Sequence, residues 1–184
     1  MKKLSGVVAL TFLLVGCNQG QPTQEAETAA PAAAEFTAQP HANLAQLMRG
    51  IPFPASNIIF DAQSEDPGAA KAPADTTGGA TATYSNVYGG WQAVENSALA
   101  LAETANLIMI PGRMCENGRP APIANEDYRK FAANLADAGM AALKAAQSKN
   151  LDAMVEVSGT VSEACAMCHE VYRDKDDLKD RCIK

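Results

Sequence analysis

Residues 152–172 read DAMVEVSGTVSEACAMCHEVY, and the fold turns on how this stretch is read. Met154, Val157, Val161, Ala164, Cys168, Val171 and Tyr172 recur at spacings of three and four. That is the period of one apolar face of an α-helix. The helix begins around Asp152 and dissolves into the charged tail 174–180, DKDDLKD. Cys165, Cys168 and His169 stand at i, i+3 and i+4, so their side chains share one face of it.

Three further helical patterns precede it. The first begins near Ala42 and carries Leu44, Leu47, Met48 and Ile51. Pro52 and Pro54 kink or break it because each lacks an N–H donor, and helical character resumes through Ile58, Ile59 and Phe60. The second runs from about Ser85 to Ile110 on Trp91, Val94, Ala98, Leu101, Ala105 and Ile108, and Pro111-Gly112 stops it. The third starts at Asn125 as N-cap, with Glu126 and Asp127 suited to the positive end of the helix dipole, and ends near Asn150. No period-two alternation of any length occurs. The expected fold is all-α: one up-down-up-down four-helix bundle over residues 41–184.

The pentapeptide Cys165-Ala-Met-Cys168-His169 is a C-x-x-C-H sequence, the attachment signal of a c-type haem. Its two thiols add to the porphyrin vinyl groups as thioethers, and its imidazole is a proximal iron ligand. The expected cofactor is therefore haem c, bound by Cys165 and Cys168, with its iron on His169. Two other readings compete. A redox dithiol belongs at a helix N-terminus after a strand, and no strand precedes this motif. Half of a zinc site would need a second C-x-x-C or an H-x₃₋₅-H, and the chain has neither.

The N-terminus sets the compartment. Lys2 and Lys3 precede an apolar run, Val7 to Val15, which is too short for an ordinary membrane span of about 20 residues. Leu14-Val15-Gly16-Cys17 resembles the bacterial lipoprotein box. Residues 1–16 then form a lipoprotein signal peptide, and Cys17 is lipidated and becomes the first mature residue; an ordinary cleaved signal is the alternative. Residues 17–40, rich in Ala, Gln, Thr, Glu and Pro, form a disordered tether. A second low-complexity stretch, about 64–83, is a long loop within the domain. The location expected is the periplasm of a Gram-negative bacterium, with membrane contact through Cys17 alone.

The chain has a net charge of −6 and no basic stripe, which argues against nucleic acid and leaves room for a redox partner with a basic docking patch. Of its five cysteines, Cys17 is assigned to lipid, and Cys165 and Cys168 to haem. Cys115 and Cys182 remain in an oxidising compartment, and counting alone pairs them as a disulfide. In the expected bundle, the start of the first helix lies beside the end of the last. Met48 and His169 then share one end with Met109, Arg113, Met114, Cys115 and Tyr128. Met48 is the candidate sixth iron ligand, against the commoner role of a core methionine. Met109 and Met114 are weaker rivals, and His41, beside Pro40, reads as solvated. Arg49, Arg113 and Arg119 are weighed as haem-propionate contacts, with Arg49, next to Met48, preferred over a solvated role.

With these residues in place, the chain resembles the cytochrome c-prime family, including its methionine-ligated low-spin branch. The likeness rests on Cys165, Cys168, His169 and the pair Tyr172-Arg173, which match the ending C-x-x-C-H-x-x-[FY]-[RK], and more loosely on Met48-Arg49. It covers about residues 41–175 and implies a four-helix bundle and, by analogy, a homodimer. The lipoprotein box, the Pro52-Phe53-Pro54 break, the low-complexity loop and the segment 111–122, PGRMCENGRPAP, depart from the family pattern. The function expected is electron transfer by a membrane-tethered monohaem cytochrome, not an enzyme. The alternatives are a five-coordinate haem protein that binds NO or CO, and a structural lipoprotein whose cysteines are simply disulfides.

Overall fold

The computed structural model describes residues 37–69 and 89–184. The expected signal peptide, Cys17 and most of the tether lie outside the described residues, as does the greater part of the low-complexity loop. Residues 37–184 belong to one compact unit.

Among the described residues the chain is all-helical. Its helices are α1 (Leu44–Gly50), α2 (Pro52–Asp61), α3 (Gly90–Ile108), α4 (Glu126–Ser148) and α5 (Leu151–Tyr172), followed by a 3₁₀ turn, Leu178–Asp180. There is no strand among them, only an isolated bridge between Met114 and Pro120. α1 and α2 are the two halves of the expected first helix. α3 packs on α4, α4 on α5, and α2 on both α3 and α5.

The termini of these helices have local causes. Asn43 caps α1 with a reciprocal pair of bonds: its Oδ1 accepts from the Gln46 N–H at 2.9 Å, and its own N–H donates to Gln46 Oε1 at 3.0 Å. The break after α1 is sharper than the sequence suggests, and helix resumes at once rather than near Ile58. Pro52 opens α2 and Pro54 sits in its first turn. A helix has no internal partner for its first N–H groups, so two prolines cost little there. Asn125 stands at the N-cap of α4 as expected, but its side chain makes no cap bond. It donates instead to the Tyr172 hydroxyl at 3.0 Å. Asn150 does cap α5, accepting from the Ala153 N–H at 3.1 Å.

Two apolar clusters result. The larger joins α2, α3, α4 and α5 around Ile59, Val94, Leu101, Met154 and Val161, with Ala98, Ala138, Ala142 and Ala146 between them. Small side chains allow close approach of α3 and α4. At Gly139 an added Cβ would lie 2.6 Å from the Ala102 backbone nitrogen and 2.9 Å from the Ala98 carbonyl oxygen. The buried hydroxyls of Thr104 and Ser158 are satisfied by carbonyls one turn back, Ala100 and Met154. The smaller cluster contains Leu47, Ile108, Tyr128, Ala132 and Tyr172, with Met48, Phe131 and Cys168 packed against it.

The last residues do not trail away as a charged tail. Cys182 is bonded to Cys115, so the chain turns back after α5. The Cys182 N–H donates to the Tyr172 carbonyl at 2.7 Å, and Asn117 Nδ2 donates to the carbonyls of Leu178 and Arg181, both at 3.0 Å.

Candidate functional site

A cavity of about 640 Å³ lies against the smaller cluster. That is within the range of about 300–1,000 Å³ usual for cofactor and ligand pockets. α1 contributes Leu44, Met48 and Arg49 to its wall, and α2 contributes Pro52, Phe53 and Phe60. α4 adds Tyr128 and Phe131. The second half of α5 supplies Cys165, Cys168, His169 and Tyr172. Ile108 of α3, the disulfide with Glu116 and Arg181 beside it, and Arg173, Asp174 and Lys175 beyond α5 also line it.

Every residue of the C-x-x-C-H face thus opens on one cavity, and Met48 opens on the same one. Met109, Arg113 and Met114, expected near this end, do not line it, nor do His41 and Arg119. Arg113 is 4% exposed and is used structurally. Its Nε donates to the Leu107 carbonyl at 2.7 Å and its Nη1 to the Ala42 carbonyl at 2.6 Å, tying the end of α3 to the approach to α1. Neither a solvated nor a ligand-binding role describes it. Arg119 donates to the Lys179 carbonyl at 3.3 Å. Arg49 does line the cavity, and its guanidinium is paired with Glu116 at 3.0 Å.

The electrostatics of the motif follow from burial. Cys165 and Cys168 are free of disulfide. Burial pushes both thiols up, Cys168 to about 12 with the neighbouring Cys165 adding to the effect. A redox dithiol needs the opposite: a lowered pKa, usually at a helix N-terminus. These thiols lie in the C-terminal half of α5, where the dipole disfavours a thiolate. Burial, with Arg173 close by, pushes His169 below its ordinary value, so the imidazole is neutral near pH 7 and keeps a lone pair for a metal. Among the described residues no group of three or more His, Cys, Asp and Glu side chains is placed to hold a metal ion by itself.

The chemistry of the lining fits a flat tetrapyrrole. Aromatic and aliphatic side chains from five helices suit its apolar body. Two thiols on one helical face suit its two vinyl groups, and an imidazole one position beyond suits its metal. Guanidinium groups on Arg49 and Arg181 suit its carboxylates.

An aromatic and ionic support braces this wall. The Tyr172 hydroxyl donates to Asp127 Oδ1 at 2.6 Å, and Lys184 Nζ meets Asp127 Oδ2 at 2.8 Å. Tyr128 and Phe131 meet the Tyr172 ring edge-on, at centroid separations of 5.4 and 6.4 Å. Tyr172 is legible in the sequence as a residue of the helical face, but its partners Asp127 and Lys184 are not. Glu116 and Arg181 could have been found, since each adjoins a cysteine of the paired set and accompanies it to this end. No family model, curated protein or solved structure matches the chain.

Proposed function

We propose that the chain is a monohaem c-type cytochrome that carries electrons, built as an up-down-up-down bundle resembling the cytochrome c-prime family. The observation that carries this reading is the convergence of Cys165, Cys168, His169 and Met48 on one apolar cavity of about 640 Å³. A bound haem would supply the one-electron couple. The residues of the chain do the rest. The thiols of Cys165 and Cys168 would hold the haem as thioethers, each S–H added across a vinyl double bond, which needs no oxidant. His169, kept neutral by burial, would hold the iron through its lone pair. Met48 would be a second residue to hold the iron, and a thioether there would raise the reduction potential. The aromatic side chains of the lining would give the group an apolar wall.

The leader supports export and a lipid anchor on Cys17. The acidic net charge supports a partner with a basic docking patch.

The test is the absorption spectrum of the purified holoprotein, oxidised and reduced, with and without CO. A low-spin spectrum indifferent to CO supports Met48 ligation and electron transfer. Met48→Ala should then turn high-spin and bind CO. A wild-type spectrum that is already high-spin and shifts with CO would overturn electron transfer in favour of gas binding.

A further inference from the structure

We infer that the Cys115–Cys182 disulfide positions Met48: it brackets the cavity, holding α1, which carries Met48, in place relative to α5, which carries His169. This rests on the haem reading above. α1 is seven residues long and buries only Leu47. Its main helical neighbour is α2, whereas the cavity is lined by α1 and α5 together. A helix so short, with one buried side chain, has little of its own to fix it, since helices are held by the packing of their apolar face.

The segment around Cys115 supplies what is lacking. The Leu44 N–H donates to the Met114 carbonyl at 2.8 Å, the buried Arg113 donates to the Ala42 carbonyl at 2.6 Å, and Arg49, next to Met48, pairs with Glu116. This segment folds back on itself, with the Cys115 N–H on the Arg119 carbonyl at 2.7 Å and the Ala121 N–H on the Arg113 carbonyl at 2.8 Å. Cys115 then joins it to Cys182, whose N–H donates to the Tyr172 carbonyl in the turn of α5 beyond His169. A continuous path runs from the wall of His169 to the wall of Met48, and the disulfide is the one covalent cross-link in it.

The other ties of the tail are weak. Glu116 pairs with Arg49 and Arg181 where solvent reaches, and ion pairs of that kind contribute little. Asn117 and Arg119 bond to tail carbonyls at the surface. The 3₁₀ turn buries no side chain, and Leu178 and Ile183 are exposed. With the disulfide open, such a tail detaches locally at small cost, and the segment around Cys115 loses its covalent hold on α5. A ligand constellation has to be kept within about 0.5 Å of its working geometry, so a loosened α1 takes Met48 out of reach.

The test is CO binding by the ferrous holoprotein, kept reduced with ascorbate, before and after dithiothreitol opens the disulfide. Each bond opened leaves two protein thiols and one oxidised, cyclic dithiothreitol. CO competes with Met48, so its binding rate reads how firmly Met48 is held. Opening the disulfide should speed binding about tenfold or more, a usual size for coupling between sites. Cys115→Ser with Cys182→Ser should do the same without dithiothreitol; if that variant does not fold, the dithiothreitol arm stands alone. Met48→Ala should bind CO fast from the start, with no further effect of the dithiol. In the same samples the Leu44 amide should exchange with solvent about tenfold faster once the disulfide is open, while Leu101, in the core, keeps its protection. A tail that merely screens the cavity would give the same acceleration in Met48→Ala. That result, or an unchanged CO rate and Leu44 exchange after the thiols are counted, overturns the inference while leaving the haem reading intact. A wild type that binds CO as fast as Met48→Ala overturns Met48 ligation with it, and a wild type without haem overturns all three.

Discussion

Cys115, buried in the connection between α3 and α4, is bonded to Cys182, 67 residues further on, and both line the cavity that holds the C-x-x-C-H face. This bond closes the loop that contains α4 and α5. In the chain-entropy view, closing a loop of that length restricts the unfolded chain by about 4 kcal/mol. Cys115→Ser with Cys182→Ser should therefore lower the urea midpoint, with a stability loss of about 2–5 kcal/mol. The native protein should show no alkylatable thiol at either position before reduction. Two free thiols there, or an unmoved midpoint, would contradict the assignment.

The Asp127 carboxyl is held down, to about 2, by Lys184 and then by the Tyr172 hydroxyl. Its folded value lies below the unfolded value of about 3.9. The stabilisation it gives is therefore present above about pH 4 and is lost as the pH falls toward 2. Asp127→Asn should remove that part of the acid sensitivity. Urea midpoints of wild type and variant should converge as the pH drops from 5 to 2. Parallel curves would mean that the Tyr172–Asp127–Lys184 contacts carry no net stabilisation.

Burial of the motif thiols has a kinetic consequence in the haem-free protein. With Cys168 pushed up to about 12, its thiolate fraction at pH 8 is on the order of a thousandfold below that of an ordinary cysteine near 8.5. Alkylation of folded apoprotein by iodoacetamide should be slowed at Cys168 by a comparable factor. Labelling at the rate of a free thiol would show that this part of α5 opens, or that the site is tuned as a dithiol.

Gly139 sets the distance between α3 and α4. A methyl group there would press on the backbone of Ala98 and Ala102, which cannot rotate away. Gly139→Ala should cost about 1–3 kcal/mol despite the better helix propensity of alanine, as forced overpacking does. A gain in melting temperature would show that the two helices separate at little cost.

Helix periods, the disulfide and the motif face were legible because each depends on local spacing or on a small count. Leu101, Val94 and Val161 fall in the core as their three-and-four spacing requires. Pro52 was legible as a break but not as a start, since the same missing N–H ends one helix and suits the first turn of the next. Arg113 reads as a surface cation, and only the path of the chain from Ala42 to Leu107 gives its guanidinium two half-buried carbonyls. Asn125 reads as a cap, and the tertiary contact with Tyr172 takes its side chain away. Such residues are decided by partners far off in sequence, which no local pattern encodes.

Covalent haem is the claim on which the rest depends, and intact mass of the purified mature protein tests it most directly. The expected mass exceeds that of the polypeptide by one whole haem, resists acidic organic extraction, and falls to that of the polypeptide in Cys165→Ala with Cys168→Ala. A polypeptide that carries no such adduct when made in a host able to attach c-type haem, or a haem that extracts freely, would contradict it.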